Sequence, residues 1–282
     1  MKTRFYVGLI ALAALAFVGC AKDEVKSSVD NAIEFGTYLG RDAQTKGSVF
    51  DTEKMKTQGF GVFAYYTNDA KYSAAATPNF MYNEEVTYAG NTWTYAPVKY
   101  WPNEATDYVS FFAYAPYAKT YNVPASGDPI IDFTVPAEVT DHIDLVAAVN
   151  SHINCQKQAV NDVVKFTFKH ALSRVGFKVE AVMDEVNDQE NGATPDTDTQ
   201  DNPIAAGTTI SVQEVEIYSY FNNSGKLNLN GAKWTDRAYS YTSYKLTRNN
   251  FEAVADKVTI TPTLLNNEES YMMLIPTAAS NK

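Results

Sequence analysis

The chain has 282 residues, 45% of them hydrophobic and 13% aromatic, with a formal net charge of −10. That hydrophobic content excludes a disordered chain, and the acidic balance argues against a nucleic-acid partner, which needs a basic face. Seven acids fall in the stretch from Asp184 to Asn202, which has no Lys or Arg, so much of the charge belongs to one solvated loop.

Lys2 and Arg4 open a positive region, and an apolar run from Phe5 to Val18 ends in Gly19-Cys20. This reads as a secretory signal over residues 1–19. The run is shorter than the roughly 20 apolar residues of a membrane-spanning helix. Phe17-Val18-Gly19-Cys20 resembles a lipobox, although Phe17 stands where Leu is usual. Cys20 is then the acylated first residue of the mature chain, held at the outer membrane by its lipid. Ala21-Lys22-Asp23-Glu24 resembles the surface-export signal of Bacteroidota lipoproteins. The alternative is an uncleaved N-terminal anchor. Cys155 is the other cysteine, so no internal disulfide forms. It reads as a small buried hydrophobe, with a catalytic thiol as the rival.

Period-2 alternation dominates from there on. Val29, Ile33, Phe35 and Leu39 share one phase, which predicts a half-buried strand over residues 29–39. A polar segment follows from Gly40 to Gly47 and carries Arg41 and Lys46. Further strands are predicted over 59–66, 80–83 with 86–88 as a pair, 93–95, 108–114 and 130–135. Residues 144–149 suit helix or strand on propensity and are read as strand from their length and neighbours. Strands at 165–169 and 175–180 precede the acidic loop. The phase changes between Ile210-Ser211-Val212 and Val215-Glu216-Ile217, which predicts a bulge near Gln213-Glu214. Asn222-Asn223-Ser224-Gly225 reads as a turn, and 258–260 and 271–275 as late strands. No sustained helical stripe is present. Many short strands with turn signals predict an all-β chain of sandwiches. The composition permits two of them, joined near residues 150–162.

Chemistry-bearing patterns are sparse, and the chain is read as no enzyme with no cofactor. His142 and His152, with Asp141 and Asp144 nearby, are a conceivable metal set without ligand spacing. His170 reads as a strand residue with a hydrogen-bonding role. Residues 196–201 lack the Gly and distal Glu of a calcium loop. Trp93, Tyr95, Tyr100 and Trp101 read as sandwich aromatics, or alternatively as a sugar platform.

Four blocks, in order, resemble the fimbrillin-like (Mfa-like) surface lipoproteins of Bacteroidota, the subunits of type V pili. They are Gly59-Phe60-Gly61-Val62-Phe63-Ala64-Tyr65; Val98-Lys99-Tyr100-Trp101-Pro102 with Val109-Ser110-Phe111-Phe112-Ala113-Tyr114-Ala115-Pro116; Phe166-Thr167-Phe168-Lys169-His170-Ala171-Leu172-Ser173-Arg174-Val175; and Met273-Leu274-Ile275-Pro276. The resemblance implies two stacked Greek-key, transthyretin-like β-sandwich domains. Placed on this sequence they are 47–158 and 159–282, after a lipidated segment over 20–46. It also implies a structural or adhesive subunit of a surface fimbria. A trypsin-like protease removes an N-terminal strand, and a strand from another subunit fills the groove. Arg41, directly after the predicted strand, and Lys46 are the candidate cleavage points; an uncut linker in a subunit that stays anchored is the alternative. Family members usually continue with further strands, whereas here six residues follow Pro276, so either the sequence is a fragment or those strands are absent. The rival function is a non-polymerising surface lipoprotein that binds glycan or host protein.

Overall fold

The computed structural model describes residues 31–39, 50–156, 163–179, 209–211, 213–247, 252–254, 263–264 and 271–277. The described residues are mostly strand. The first nine strands are β1 (Glu34–Leu39), β2 (Phe60–Tyr66), β3 (Met81–Ala89), β4 (Thr92–Thr94), β5 (Val109–Ala115), β6 (Ile130–Thr134), β7 (Val146–Ala148), β8 (His152–Cys155) and β9 (Val163–His170). All except β6 form one sheet in the order β1-β9-β7-β5-β2-β3-β4, with β8 also paired to β5.

Strands β2 and β5 lie in the middle of that sheet and are buried on both faces. Phe60, Val62 and Ala64 of β2, with Phe111 and Ala113 of β5, point into one core that also holds Ile33, Phe35, Trp101, Phe166 and Phe168. Phe63 and Tyr65, with Phe112 and Tyr114, point into a second core built with Leu227, Leu229, Tyr244, Leu246 and Met272. Sheets covered on both sides read as continuous apolar runs rather than alternations, which accounts for the unbroken Gly59-Phe60-Gly61-Val62-Phe63-Ala64-Tyr65 block. Gly61 is required by this crowding, since a Cβ there would lie 2.4 Å from the Tyr114 ring.

The remaining strands are β10 (Ser173–Val175), β11 (Lys178–Val179), β12 (Thr209–Ser211), β13 (Glu214–Asn228), β14 (Lys233–Thr247), β15 (Glu252–Val254), β16 (Thr263–Leu264) and β17 (Met272–Leu274). They pair as β10–β17, β11–β16, β12–β15 and β14–β13–β6. Strands from either side of residue 158 therefore share sheets, β6 with β13 and β9 with β1. A polar knot joins the hairpin to the body. Asp128 accepts from Asn228 Nδ2 at 2.8 Å, Asn230 Nδ2 at 3.0 Å and Tyr72 Oη at 3.2 Å. Desolvation works against its carboxylate, but these three donors outweigh that and hold its pKa below the usual value.

Three local expectations are corrected. The predicted pair at 80–83 and 86–88 is one strand, β3 (Met81–Ala89). Asn83 takes a left-handed φ of 49° there, and the β2–β3 register shifts between Val62 and Ala64. The Asn83 side chain bonds the carbonyls of Ala118 and Tyr121, so the polar residue marks a bulge and not a break. Asn222-Asn223-Ser224-Gly225 lies inside β13 as a pair of register shifts, while the hairpin turns at 229–232, where Gly231 has φ 91°. Gly225 leaves room for the close approach of Trp234, whose ring would lie 3.1 Å from an added Cβ and would have to give by a few tenths of an ångström. A short helix, α1 (Thr52–Gln58), is capped by the Asp51 carboxylate, which accepts from the Lys54 N–H at 2.8 Å, and ends at Gly59 with φ 68°. Seven residues are too few to write a sustained helical stripe. Between Ile210 and Val215 the chain changes partners, since β12 pairs with β15 and β13 with β14. The predicted strand at 175–180 is divided between β10 and β11. The predicted strand at 258–260 lies outside the described residues.

The slot occupied by the N-terminal strand

The segment 31–39 is placed by two different neighbours. Its first residues pair with the chain after β4: the Ile33 N–H donates to the Lys99 carbonyl at 2.9 Å, the Trp101 N–H donates to the Asn31 carbonyl at 2.9 Å, and Ala32 bridges Tyr100. Its later residues, β1, run parallel to β9 from Glu34–Val163 to Leu39–Phe168. One segment thus lies between β9 and the backbone of residues 99–101, which follow β4 in the chain. In this position the strand satisfies backbone groups on both sides that would otherwise be open sheet edge.

The alternation read from the sequence sets which side chains enter. Ile33 and Phe35 are buried, Tyr38 is exposed, and Leu39 is half-buried against the same core. Phe35 enters a slot of aromatic rings, with Tyr95 at 5.3 Å, Phe166 at 5.7 Å, and Phe60 and Phe111 each at 6.1 Å. Such edge and stacked pairs add about 0.5–1.5 kcal/mol each beyond area burial. The Tyr95 hydroxyl donates to the Ile33 carbonyl at 2.8 Å and accepts from the Lys99 N–H at 3.3 Å. Burial pushes its pKa up to about 12. Trp101 is buried against Phe111 at 5.7 Å. Tyr95 and Trp101 are therefore parts of the slot and face the N-terminal segment, whereas Tyr100 of the same group is exposed. Their signal in the sequence was only spacing near Pro102, which does not name a partner 60 residues earlier.

After Leu39 the next described residue is Phe50. That residue is buried, and its N–H donates to the Asp144 carboxylate at 3.0 Å. The same carboxylate lies 3.0 Å from His170 Nδ1, at the end of β9. Both flanks of residues 40–49 are thus anchored to the body. Arg41 and Lys46, and also Cys20 and the 196–201 acidic pattern, lie outside the described residues.

The histidines are separated by their roles. His142 Nε2–H donates to the Pro136 carbonyl and Nδ1 accepts from the Met273 N–H, each at 2.9 Å. That pair of bonds requires the neutral ring, and burial lowers its pKa accordingly. His152 Nε2 lies 2.6 Å from the Lys165 carbonyl. Among the described residues no group of His, Cys, Asp and Glu is arranged to hold a metal. Cys155, expected to be buried, is half-buried at the end of β8 beside the first core, because β8 pairs only along the margin of β5. Among the described residues no helix is long and apolar enough to cross a membrane.

A model described as fimbrillin-like matches residues 48–282. The chain is 33% identical over 186 residues to the fimbrium subunit Fim1C of Phocaeicola vulgatus, over 59% of this chain and 49% of that protein. It thus spans about half the length of that curated relative. In three dimensions it is similar to the crystal structure of a fimbrial protein from Bacteroides vulgatus, with a TM-score of 0.60 and 20% identity, over 87% of this chain and 77% of that one. At that identity the likeness is one of fold.

Proposed function

The chain belongs to the fimbrillin-like family, and from that membership we propose that it is a structural and adhesive fimbrial subunit assembled by strand exchange. The observation that carries this reading is the segment 31–39, which adds a strand beside β9, fills an aromatic slot with Phe35, and pairs with the backbone of residues 99–101. In this scheme the chain is exported as a lipoprotein through Cys20 and anchored in the outer membrane. A trypsin-like protease cuts after Arg41 or Lys46, and the acylated strand leaves. The vacated slot offers an unpaired β9 edge and the backbone of 99–101, with main-chain bonds for affinity and the Phe35 site for register. A strand of another fimbrial subunit is the proposed occupant. The protein acts as a building unit, with its two stacked units divided near residue 158 and linked by the strands that cross between them.

The test is digestion of the purified chain by a trypsin-like protease, followed by N-terminal sequencing and gel analysis. A species beginning at Asp42 or Gly47, with ladders of higher assemblies that vanish in an Arg41→Gln/Lys46→Gln variant, is the expected result. A stable monomer that is never cut in this segment would instead favour the non-polymerising surface lipoprotein.

A further inference from the structure

The β13–β14 hairpin carries a surface that the assembly scheme does not use. Its register sets Tyr218 opposite Ser243, Tyr220 opposite Tyr241, and Asn222 opposite Tyr239. The other face of the ribbon sends Tyr244 and Leu246 into the second core. The four tyrosines therefore point outward, and they are 66%, 67%, 70% and 61% exposed for Tyr218, Tyr220, Tyr239 and Tyr241. Their rings follow one another in a row, Tyr218 to Tyr241 at 6.4 Å, Tyr241 to Tyr220 at 5.5 Å and Tyr220 to Tyr239 at 6.1 Å. Single exposed aromatics are ordinary, but a contiguous exposed row marks a binding surface.

We infer that this tyrosine row binds a neutral glycan, lying along the ribbon with its sugar rings stacked on the tyrosine faces. Three observations select that occupant. First, charge: residues 217–225 and 238–244 contain no Lys, Arg, Asp, Glu or His, in a chain of net charge −10. Of the flanking charges, Lys245 pairs with Glu214 and Glu216, Lys226 pairs with Asp132, Arg237 donates to the Trp234 carbonyl, and Asp236 is exposed beside the hairpin turn. Nothing in the window rewards an anionic or cationic ligand. Second, area: at these exposures the four side chains present on the order of 500 Å², short of the roughly 800 Å² per partner of a stable protein interface. Third, shape: the four rings stand exposed along the ribbon and lie outside the clefts around His142, Phe80 and Pro124. A pyranose matches this shape, with a flat C–H face for the ring and hydroxyls for the tyrosine tips, Asn222 and Ser243. Tyrosine supplies such amphipathic area at low entropic cost. This site names a ligand for the adhesive reading above and is independent of strand exchange.

The test uses the full chain and a panel of neutral oligosaccharides of glucose, xylose, mannose, galactose and N-acetylglucosamine. Sialylated and sulfated glycans serve as charged controls, and binding is read by calorimetry. At least one neutral member is expected to bind, roughly tenfold more weakly to Tyr220→Ser/Tyr241→Ser, the size of one or two aromatic contacts. Tyr220→Phe, which keeps the stacking face, is expected to bind nearly as wild type. Melting temperature and protease-triggered ladders should be the same in all variants. The inference is overturned if no neutral glycan binds, if the double variant binds equally well, if charged glycans are preferred, or if the substitutions change only the oligomeric state. Glycan binding without ladders would support this site while removing the assembly scheme.

Discussion

Replacing Phe35 by Ala is the sharpest probe of the slot. The side chain is 5% exposed and meets four rings at 5.3–6.1 Å. Removing a phenyl ring from such a site costs about 3–5 kcal/mol. If β1 detaches as a unit, the whole cost falls on its docking. At 1.4 kcal/mol per tenfold, the opening equilibrium rises by about a hundredfold to a few thousandfold. Chymotrypsin reads this directly. Residues 40–49 hold no aromatic or Leu, so the first cleavages available near the N-terminal strand follow Tyr38 and Leu39. When opening is fast relative to cleavage, the rate tracks the open population. Cleavage after Tyr38 should therefore accelerate about a hundredfold to a few thousandfold, and in both proteins it should precede cleavage at Tyr66 or Tyr114. A rise below about threefold, or Tyr38 resisting as long as Tyr114, would refute the picture of a separately docked strand.

Tyr95→Phe removes the hydroxyl that holds the Ile33 carbonyl. It should cost about 1 kcal/mol and speed cleavage after Tyr38 several-fold, with the rest of the digest unchanged. Gly61→Ala drives a methyl into the Tyr114 ring, which cannot yield because its hydroxyl bonds Asn83 at 2.6 Å and the Ala118 carbonyl at 2.9 Å. A loss of about 1–3 kcal/mol is expected, seen as a melting temperature several degrees lower by circular dichroism; an unchanged melt would contradict the close contact. His142 is held neutral, with its folded pKa below the unfolded value near 6.5. The unfolded chain binds the proton first, so His142 stabilises fully above about pH 6.5, and that contribution is lost as pH falls from there toward the folded pKa. Melting temperatures from about pH 7 to pH 5 should fall more steeply in wild type than in His142→Gln, and parallel curves would remove His142 from the account.

The first half of the site was readable because period 2 is written in side chains. Ile33, Phe35 and Leu39 in one phase announced an inward face, and inward is where Ile33 and Phe35 lie. What they face was not readable. β9 begins 129 residues after Glu34, and a parallel partner leaves no local turn signal by which to find it. The aromatics near Pro102 illustrate the same limit: composition announced rings suited to a sheet, but only the fold turned Tyr95 and Trp101 toward the N-terminal strand. The tyrosine row is the converse case. Tyr218, Tyr220, Tyr239 and Tyr241 alternate as a buried face would, yet they are exposed, because Tyr244 and Leu246 on the opposite phase took the core. Alternation states that a strand has two faces and does not say which one another layer will cover.

By itself the sequence determined that this is an all-β chain, where most of its strands run, and which family it belongs to, because strand periodicity and short apolar blocks are local properties. Only the tertiary structure decided that one N-terminal segment lies between β9 and residues 99–101, that β2 and β5 are covered from both sides, and that the hairpin tyrosines stay in water. Those outcomes depend on pairings between distant segments, where burial is shared among strands that carry no mark of one another.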